Sequence, residues 1–199
     1  MEILVVVLEI IGTVAFAVSG AITGMRKHMD LFGVAAMGLT TAVGGGIFRD
    51  LILDVVPPAA FTEPIFAVIS LAVSVIVFLP AVRRRIESDG ILLMLMDSAG
   101  LGMFTVAGVR AGMPYHNLFL SVFVGVLTGT GGGVLRDLFA GERPLIFVRR
   151  VYATASLAGA LLCALLWNRG ETVAMTSGAA LVLTLRILAA RYKWRLPSA

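Results

Sequence analysis

Long apolar stretches follow one another along the whole chain, and short polar links separate them. Seven of these stretches are close to the roughly 20 apolar residues that one helix needs to cross a bilayer. They span residues 3–24, 31–55, 64–82, 90–109, 117–140, 146–167 and 172–190. The pattern predicts an all-α integral membrane protein, with seven transmembrane helices forming a single membrane domain over residues 1–199.

The composition excludes a soluble domain and several kinds of site. Hydrophobic residues make up 59% of the 199 residues and charged residues only 14%, and the mean hydropathy is +0.98. The basic residues lie in the links between apolar stretches, so we expect no nucleic-acid partner. The sequence holds one cysteine, Cys163, and two histidines, with no metal-ligand spacing and no nucleophile–base pair. We therefore expect no bound metal, no cofactor and no enzyme activity.

The distribution of basic residues predicts the topology. One set of alternate links and the C-terminal tail hold Arg26, Lys27, Arg83, Arg84, Arg85, Arg143, Arg149, Arg150, Arg191, Lys193 and Arg195. The other set holds only Arg110 and Arg169. Short cytoplasmic loops are enriched in Lys and Arg, so this distribution predicts how the chain is oriented in the membrane. Its N-terminus would lie outside and its C-terminus in the cytoplasm.

Two halves of the chain resemble each other. EIIGTVAFAVSGAITGM at 9–25 aligns with DSAGLGMFTVAGVRAGM at 97–113, and LFGVAAMGLTTAVGGGIFRDL at 31–51 aligns with LFLSVFVGVLTGTGGGVLRDL at 118–138. With three helices in each unit, the second copy enters the membrane from the opposite face. The sequence predicts an inverted repeat: helices 1–3 over 1–88, helices 4–6 over 89–168, then a seventh helix and tail over 169–199. Inverted repeats build transport proteins with a site near the membrane midplane.

Each repeat carries a glycine triplet in its second helix. The triplets are Gly44, Gly45 and Gly46 in the first copy and Gly131, Gly132 and Gly133 in the second. A glycine-induced break would free carbonyl groups that suit a dehydrated cation and N–H groups that suit an anion. Alternatively, the glycines only allow two helices to pack closely. The recurrence of G-G-G-x-x-R-D favours a shared role around one pathway.

The charges after each triplet cost about 3 kcal/mol apiece if they face lipid, so we expect them to face protein or water. They are Arg49, Asp50, Arg136 and Asp137. Adjacent residues lie about 100° apart on a helix, which predicts that neither Arg–Asp pair closes on itself. Glu9 and Asp97 occupy equivalent positions in helices 1 and 4. We therefore predict Glu9–Arg49 and Asp97–Arg136 as charge partners that lock helices together.

Three hydroxyl groups near these motifs are candidates for the ion pathway. Thr41 and Thr128 precede the two triplets, and Ser19 lies on the first helix. Their oxygens could face a cation or pore water. Alternatively, such hydroxyls bond to the backbone of their own helix, as they often do in membranes.

The two G-G-G-x-x-R-D copies, with the D/E-x-x-G-x-x-x-F-x-x-x-G starts at 9–20 and 97–108, resemble the prokaryotic TRIC family of trimeric intracellular cation channels. This sequence family is also labelled a glycine transporter domain. The resemblance implies a homotrimer in a prokaryotic inner membrane, with one pore in each subunit. Helices 1, 2, 4 and 5 would line that pore, helices 2 and 5 would bend at the triplets, and potassium, with sodium in addition, would permeate.

The chain departs from part of the family. Animal members carry a Lys-Glu-Val type motif after the glycines and bind phosphoinositide there, whereas this chain has Arg-Asp at 49–50 and 136–137. Inositol-lipid binding is therefore not carried over. A bound anionic lipid near the cytoplasmic arginines remains an open alternative.

Three functions stay open on the sequence. The first is a passive cation channel, and the second is a secondary transporter of a small solute such as glycine, since both use broken helices at a midplane site. The third is a membrane scaffold whose charge pairs are purely structural.

Overall fold

The computed structural model describes residues 3–86, 90–148 and 151–194, without the side chains of residues 85 and 148. Three of the arginines counted as topology signals, Arg149, Arg150 and Arg195, lie outside the described residues, as does the predicted boundary between the repeats at 88–89. Every regular element in the described part of the chain is helical, so the all-α fold class is confirmed.

The described residues form ten α-helices. They are α1 (Ile3–Arg26), α2 (Leu31–Ile52), α3 (Ala59–Thr62), α4 (Ile65–Phe78), α5 (Pro80–Ile86), α6 (Gly90–Gly112), α7 (Leu118–Phe139), α8 (Leu145–Val148), α9 (Ala153–Leu165) and α10 (Glu171–Arg191). Single 3₁₀ turns follow α6 at Met113–Tyr115 and α9 at Trp167–Arg169. Within residues 3–86, 90–148 and 151–194, five helices are long and apolar enough to cross a membrane: α1, α2, α6 with its 3₁₀ turn, α7 and α10.

Two of the seven predicted membrane helices are shorter than expected. The stretch 64–82 is divided, because α4 ends at Phe78 and α5 starts at Pro80. Leu79 adopts an extended conformation with ψ 136°, which is the conformation favoured immediately before a proline. The stretch 146–167 likewise holds the short α8 and, from Ala153, the 13-residue α9. The total of seven crossings therefore stays a prediction.

The two halves of the fold pack on each other through antiparallel helices. Helix α1 contacts α2, α4 and α6; α6 contacts α7, α9 and α10; and α2 crosses α7. A Cβ on Gly12 would lie 3.0 Å from the Cβ of Met103, and one on Gly100 would lie 2.1 Å from the Phe16 ring. The later residue of α1 meets the earlier residue of α6, so these two helices, which align in sequence, run in opposite directions.

Two faces of the molecule are defined by contacts between helix ends. On the first face, the Tyr115 hydroxyl after α6 donates to the carbonyl of Leu53 after α2, at 2.8 Å. On the second face, Lys27 after α1 pairs with Glu142 after α7, at 2.8 Å. Helices α1 and α7 run from the first face to the second. Helix α6 runs from the second face to the first.

Matched glycines let the two helices of each repeat approach closely. A Cβ on Gly20 in α1 would lie 2.5 Å from the carbonyl oxygen of Met37 in α2. Its counterpart Gly108 in α6 would place a Cβ 2.5 Å from the Thr128 hydroxyl in α7. Both distances are far below van der Waals contact. Small residues at these positions are therefore required for the packing that positions the motif helices.

Candidate functional site

The two glycine triplets lie where α2 crosses α7. Both helices continue without interruption through the glycines, from Leu31 to Ile52 and from Leu118 to Phe139. The expected break, with free carbonyl and N–H groups, is therefore wrong. Glycine lowers helix propensity by only about 1 kcal/mol, and the helical hydrogen bonds together with the packing of α2 on α7 keep the helices intact.

The middle glycine of each triplet contacts the opposite helix. A Cβ on Gly45 would lie 2.1 Å from the Thr128 carbonyl oxygen, and one on Gly132 would lie 2.1 Å from the Thr41 carbonyl oxygen. The outer members differ, since a Cβ on Gly46 would meet nothing nearer than 3.9 Å. The structure thus agrees with the close-packing alternative for Gly45 and Gly132, while Gly46 lines a cavity.

The remaining triplet members lie against side chains or against the backbone of the other triplet. A Cβ on Gly44 would lie 2.4 Å from Leu135, one on Gly131 3.2 Å from the backbone of Gly45, and one on Gly133 2.6 Å from the Tyr152 hydroxyl. Apart from Gly46, the triplet glycines therefore lie in close contact at the α2–α7 crossing and at Tyr152 just before α9.

The candidate hydroxyl groups point to their own helices or to an arginine. Thr41 donates to the carbonyl of Met37 and Thr128 to that of Val124, each at 2.6 Å. Both threonines are fully buried, so neither hydroxyl faces the cavity described below. Ser19 differs, because its oxygen accepts a hydrogen bond from Arg136 at 2.6 Å. The sequence alone could not distinguish these two arrangements.

A buried cluster of four charged side chains, with Arg136 at its centre, lies toward the second face. Arg136 donates to Asp97 at 2.6 Å and to Asp137 at 2.8 Å, so the predicted Asp97–Arg136 contact is confirmed. Arg186 of α10 reaches the second oxygen of Asp97 at 3.1 Å. Two guanidinium groups and two carboxylates, each at most 5% exposed, make the cluster electrically neutral.

Neutral groups complete the hydrogen bonding of this cluster. The Tyr152 hydroxyl donates to Asp97 at 3.3 Å, and its ring lies 4.8 Å from the Arg186 guanidinium carbon. Arg186 also donates to Ser98 at 3.2 Å. The described residues contain no buried side-chain nitrogen or oxygen without a hydrogen-bond partner, so the cluster can remain charged in a low-dielectric interior.

The first repeat shows a different arrangement around Arg49. Arg49 donates to its neighbour Asp50 at 2.7 Å, just as Arg136 donates to Asp137. The expectation that adjacent Arg and Asp cannot close on each other is therefore wrong. In both copies the arginine side chain bonds to the adjacent carboxylate, and Arg136 uses further donors of its guanidinium group for Asp97 and Ser19.

Glu9 does not form the predicted pair with Arg49. In the described part of the chain, no ion pair within 4 Å joins Glu9 to an arginine, and Arg49 has its contact with Asp50 instead. Arg110, the other guanidinium group near Glu9, pairs with Glu171 at the start of α10. Glu9 is left half-buried, with its carboxylate at a cavity rather than in a helix-to-helix lock.

Both motif aspartates also anchor the segment that follows their helix. The second oxygen of Asp50 accepts the backbone N–H of Ala59 at 2.8 Å, and that of Asp137 accepts the N–H of Leu145 at 2.7 Å. Each acceptor holds the first residue of a short helix that begins after a proline. The Arg-Asp motif therefore has a structural part in both copies, apart from any role in transport.

A cavity of about 340 Å³ opens at the first face. Its walls come from α1, α2, α6 and the 53–66 segment. They combine apolar and aromatic side chains with three carboxylates and two guanidinium groups, and include Glu9, Thr13, Gly46, Arg49, Asp50, Glu63, Phe66, Phe104, Arg110 and Tyr115.

One side of α1 leads from this cavity to the buried charge cluster. Glu9 and Thr13 line the cavity, and Ser19 bonds to Arg136 in the cluster. Between them lies Phe16, which is 1% exposed and whose ring centroid is 5.3 Å from that of Phe104. From Glu9 to Ser19 the helix rises about 15 Å. The row therefore passes from an open cavity, across an aromatic contact, to a neutral ionic cluster.

Arg186, Tyr152 and Arg110 were not predicted as site residues. Arg186 had a usable signal, since it is the one charge inside the apolar stretch 172–190, and an intramembrane charge marks a functional or structural site. Tyr152 follows an interhelical link and Arg110 ends a helix, and nothing in the local sequence shows what either contacts. Long-range packing of α9 and α10 on α6 brings them to the site.

Comparisons with known proteins agree with this architecture. A family model described as "Glycine transporter" matches residues 6–81 and 94–168. A UPF0126 membrane protein of Deinococcus radiodurans is 41% identical over 194 residues, covering 96% of this chain and 89% of the relative. The UPF0126 inner membrane protein YadS of Escherichia coli K12 is 35% identical over 196 residues, covering 96% and 94%.

Solved structures of cation channels share the fold. A structure described under conductance through TRIC cation channels superimposes with a TM-score of 0.88 at 37% identity, covering 97% of this chain and 96% of the other. A TRIC trimeric intracellular cation channel orthologue from Rhodobacter sphaeroides gives a TM-score of 0.86 at 32% identity, covering 97% and 100%.

Proposed function

The chain belongs to the TRIC family, which the glycine transporter model describes, and we propose that it is a passive channel for monovalent cations, chiefly potassium and in addition sodium. The observation that carries this proposal is the row Glu9, Thr13, Phe16 and Ser19 along α1. It joins an open, charged cavity to a buried ionic cluster in a fold shared with cation channels. The row covers about 15 Å of a hydrocarbon core of about 30 Å, and the charge cluster continues from it toward the second face.

The proposed pathway is closed in this structure. The aromatic contact of Phe16 with Phe104 blocks the inner end of the cavity, and the Asp97–Arg136–Arg186 contacts fill the space toward the second face. Opening would require the Phe16 ring to turn aside and the Arg136 side chain to exchange one of its partners. Both motions are rotamer changes that leave the close α2–α7 crossing at Gly45 and Gly132 in place.

The architecture of this channel is an inverted repeat with one pathway in each subunit of a homotrimer. Matched helix-starting caps support the repeat: the Asp30 side chain accepts from Gly33 at the start of α2, and Asn117 accepts from Leu120 at the start of α7. His28 and His116 precede these caps, both in the left-handed conformation. The description of the Rhodobacter relative as trimeric supports the assembly.

The proposed orientation places the first face, with its cavity, outside the cell and the second face in the cytoplasm. The naming of the Escherichia coli relative as an inner membrane protein supports the location. Labelling of single cysteines by a membrane-impermeant thiol reagent in intact cells would test it. We expect Tyr115→Cys at the first face to react and Glu142→Cys at the second face not to react; the reverse pattern would show an inverted orientation.

Flux through liposomes tests the proposed pathway. Purified wild-type protein should pass potassium down its gradient, and Phe16→Ala should raise the rate because it removes the ring between the cavity and Ser19. Phe32→Ala is a matched control, since Phe32 is 81% exposed on α2 and contacts no part of the row. Equal rates for both variants and wild type would exclude Phe16 as the constriction.

A secondary transporter of a small solute such as glycine is the second candidate. A cavity that opens at one face and is closed toward the other suits alternating access, and its walls offer both carboxylates and guanidinium groups for a zwitterion. The two candidates differ in turnover. Saturable glycine uptake that is stimulated by glycine inside the liposome, without a potassium flux, would favour the transporter.

A further inference from the structure

Equivalent carboxylates in the two repeats have opposite surroundings. Asp97 in α6 is 1% exposed and accepts hydrogen bonds from Arg136, Arg186 and Tyr152. Glu9, at the same position of α1, has no ion-pair partner among the described residues and borders the cavity. The two residues occupy equivalent positions in the sequence alignment, but the structure gives them different contacts.

Helix α10 contributes much of this difference. Helix α10 packs mainly on α6 and α9, in the second half of the fold, and contributes Arg186 to Asp97. The described residues hold no second copy of α10 beside the first repeat, and none of them gives Glu9 an equivalent arginine. At the first face, α10 contributes a carboxylate instead. Its Glu171 pairs with Arg110, so this guanidinium group forms its ion pair with Glu171 and not with Glu9.

The other charges in the cavity wall are also compensated or more exposed. Arg49 pairs with Asp50 inside the wall. Glu63, the remaining carboxylate, lies exposed at the rim. Glu9 is therefore the half-buried carboxylate of the cavity wall that has no ion pair among the described residues, and it lies one helical turn before Thr13 on the row that leads inward.

We propose that Glu9 is the charge-selectivity residue at the first-face mouth, where its carboxylate concentrates monovalent cations in the cavity and repels anions. This inference rests on the proposed channel function and assigns its selectivity to one residue. An unpaired charge in a narrow cleft with apolar walls raises the local concentration of counter-ions strongly, because the walls focus its field. Asp97, with two arginine partners, has no such role.

The effect of Glu9 on cation selectivity should depend on ionic strength. The screening length is about 10 Å near 0.1 M salt and about 3 Å near 1 M. The carboxylate of Glu9 should therefore control the cation concentration of the mouth at low salt and lose most of that control at high salt. A purely structural role for Glu9 would show no such dependence.

Bilayer recordings of purified full-length variants in asymmetric potassium chloride test the proposal. At low salt, Glu9→Gln should lower the potassium-to-chloride permeability ratio by at least about threefold, and Glu9→Asp should retain most of it. Glu142→Gln is a matched control, because Glu142 is an exposed carboxylate at the second face, paired with Lys27; its ratio should equal that of wild type. At high salt all four proteins should converge.

Chemical restoration of the charge provides a second test on already folded protein. In a Glu9→Cys variant, a negatively charged thiol reagent added at the first face should raise cation selectivity, and a positively charged reagent should lower it. Cys163, the chain's own cysteine, is buried and should not react. Unchanged selectivity in both tests, with the wild type conducting potassium, would overturn this inference alone, whereas a wild type that passes no cation would overturn the proposed function as well.

Discussion

The contact between Gly45 and the opposite helix makes a sharp prediction about stability. In Gly45→Ala the new Cβ would lie 2.1 Å from the Thr128 carbonyl oxygen. Ordinary contacts begin near 3.4 Å, so α2 and α7 would have to separate by about 1 Å at their crossing. The clash is with backbone, which has no rotamer by which to move away.

The size of the effect follows from two opposing terms. Alanine gains about 1 kcal/mol over glycine inside a helix, whereas overpacking a well-packed core costs about 1–3 kcal/mol and occasionally more. A backbone clash belongs at the upper end of that range, so we expect Gly45→Ala to lower the free energy of unfolding by about 1–2 kcal/mol overall. Gly46→Ala should instead raise it by up to about 1 kcal/mol, because its Cβ would have no neighbour within 3.9 Å.

Unfolding of the purified protein in detergent measures both variants under the same conditions. The neighbouring glycines share the helix, the environment of the triplet and the chemical change, so the difference between them isolates the contact with Thr128. A lower midpoint for Gly45→Ala and an unchanged or higher one for Gly46→Ala is the expected result. Equal shifts for the two would refute close packing of α2 on α7 as the reason for the triplet.

Three further predictions concern the polar groups. Asp97→Asn should destabilise the protein by about 3–5 kcal/mol in the same unfolding assay, because it leaves Arg136 and Arg186 with a single buried carboxylate; a loss below about 1 kcal/mol would mean that water enters the cluster. Arg186→Met should cost less, about 1.5–3 kcal/mol, since Asp97 keeps Arg136, and a loss equal to that of Asp97→Asn would contradict this order. Thr41→Val should change stability by less than about 1 kcal/mol and leave potassium flux intact, whereas loss of flux would place its hydroxyl in the pathway.

The order and type of the long helices could be predicted from apolar stretches alone, and their alignment identified the equivalent positions. The division of the apolar stretch 64–82 into two helices at Pro80 could also have been predicted, because proline disfavours a helical conformation of the residue before it. What the sequence did not decide was which of two local arrangements the motif adopts. Whether Gly45 marks a break or a close contact depends on the carbonyl of Thr128, which lies 83 positions further along the chain.

Of the two ion pairs predicted between helices, the structure contains one. Asp97 and Arg136 meet as expected. Both motif arginines bond to the adjacent aspartate, but only Arg136 also reaches the carboxylate of the other helix, and Glu9 is left at the cavity. The difference comes from α10, whose Arg186 and Glu171 act at opposite ends of the site. Since α10 has no counterpart in the alignment, symmetry between the repeats was a poor guide at those two positions.

Single-channel recording of the purified wild-type protein in planar bilayers tests the central claim most directly. With a potassium chloride gradient and no other solute, we predict discrete unitary currents that reverse near the potassium equilibrium potential. Currents that reverse near the chloride potential, or the absence of unitary current together with saturable exchange of a small solute, would contradict a passive cation channel.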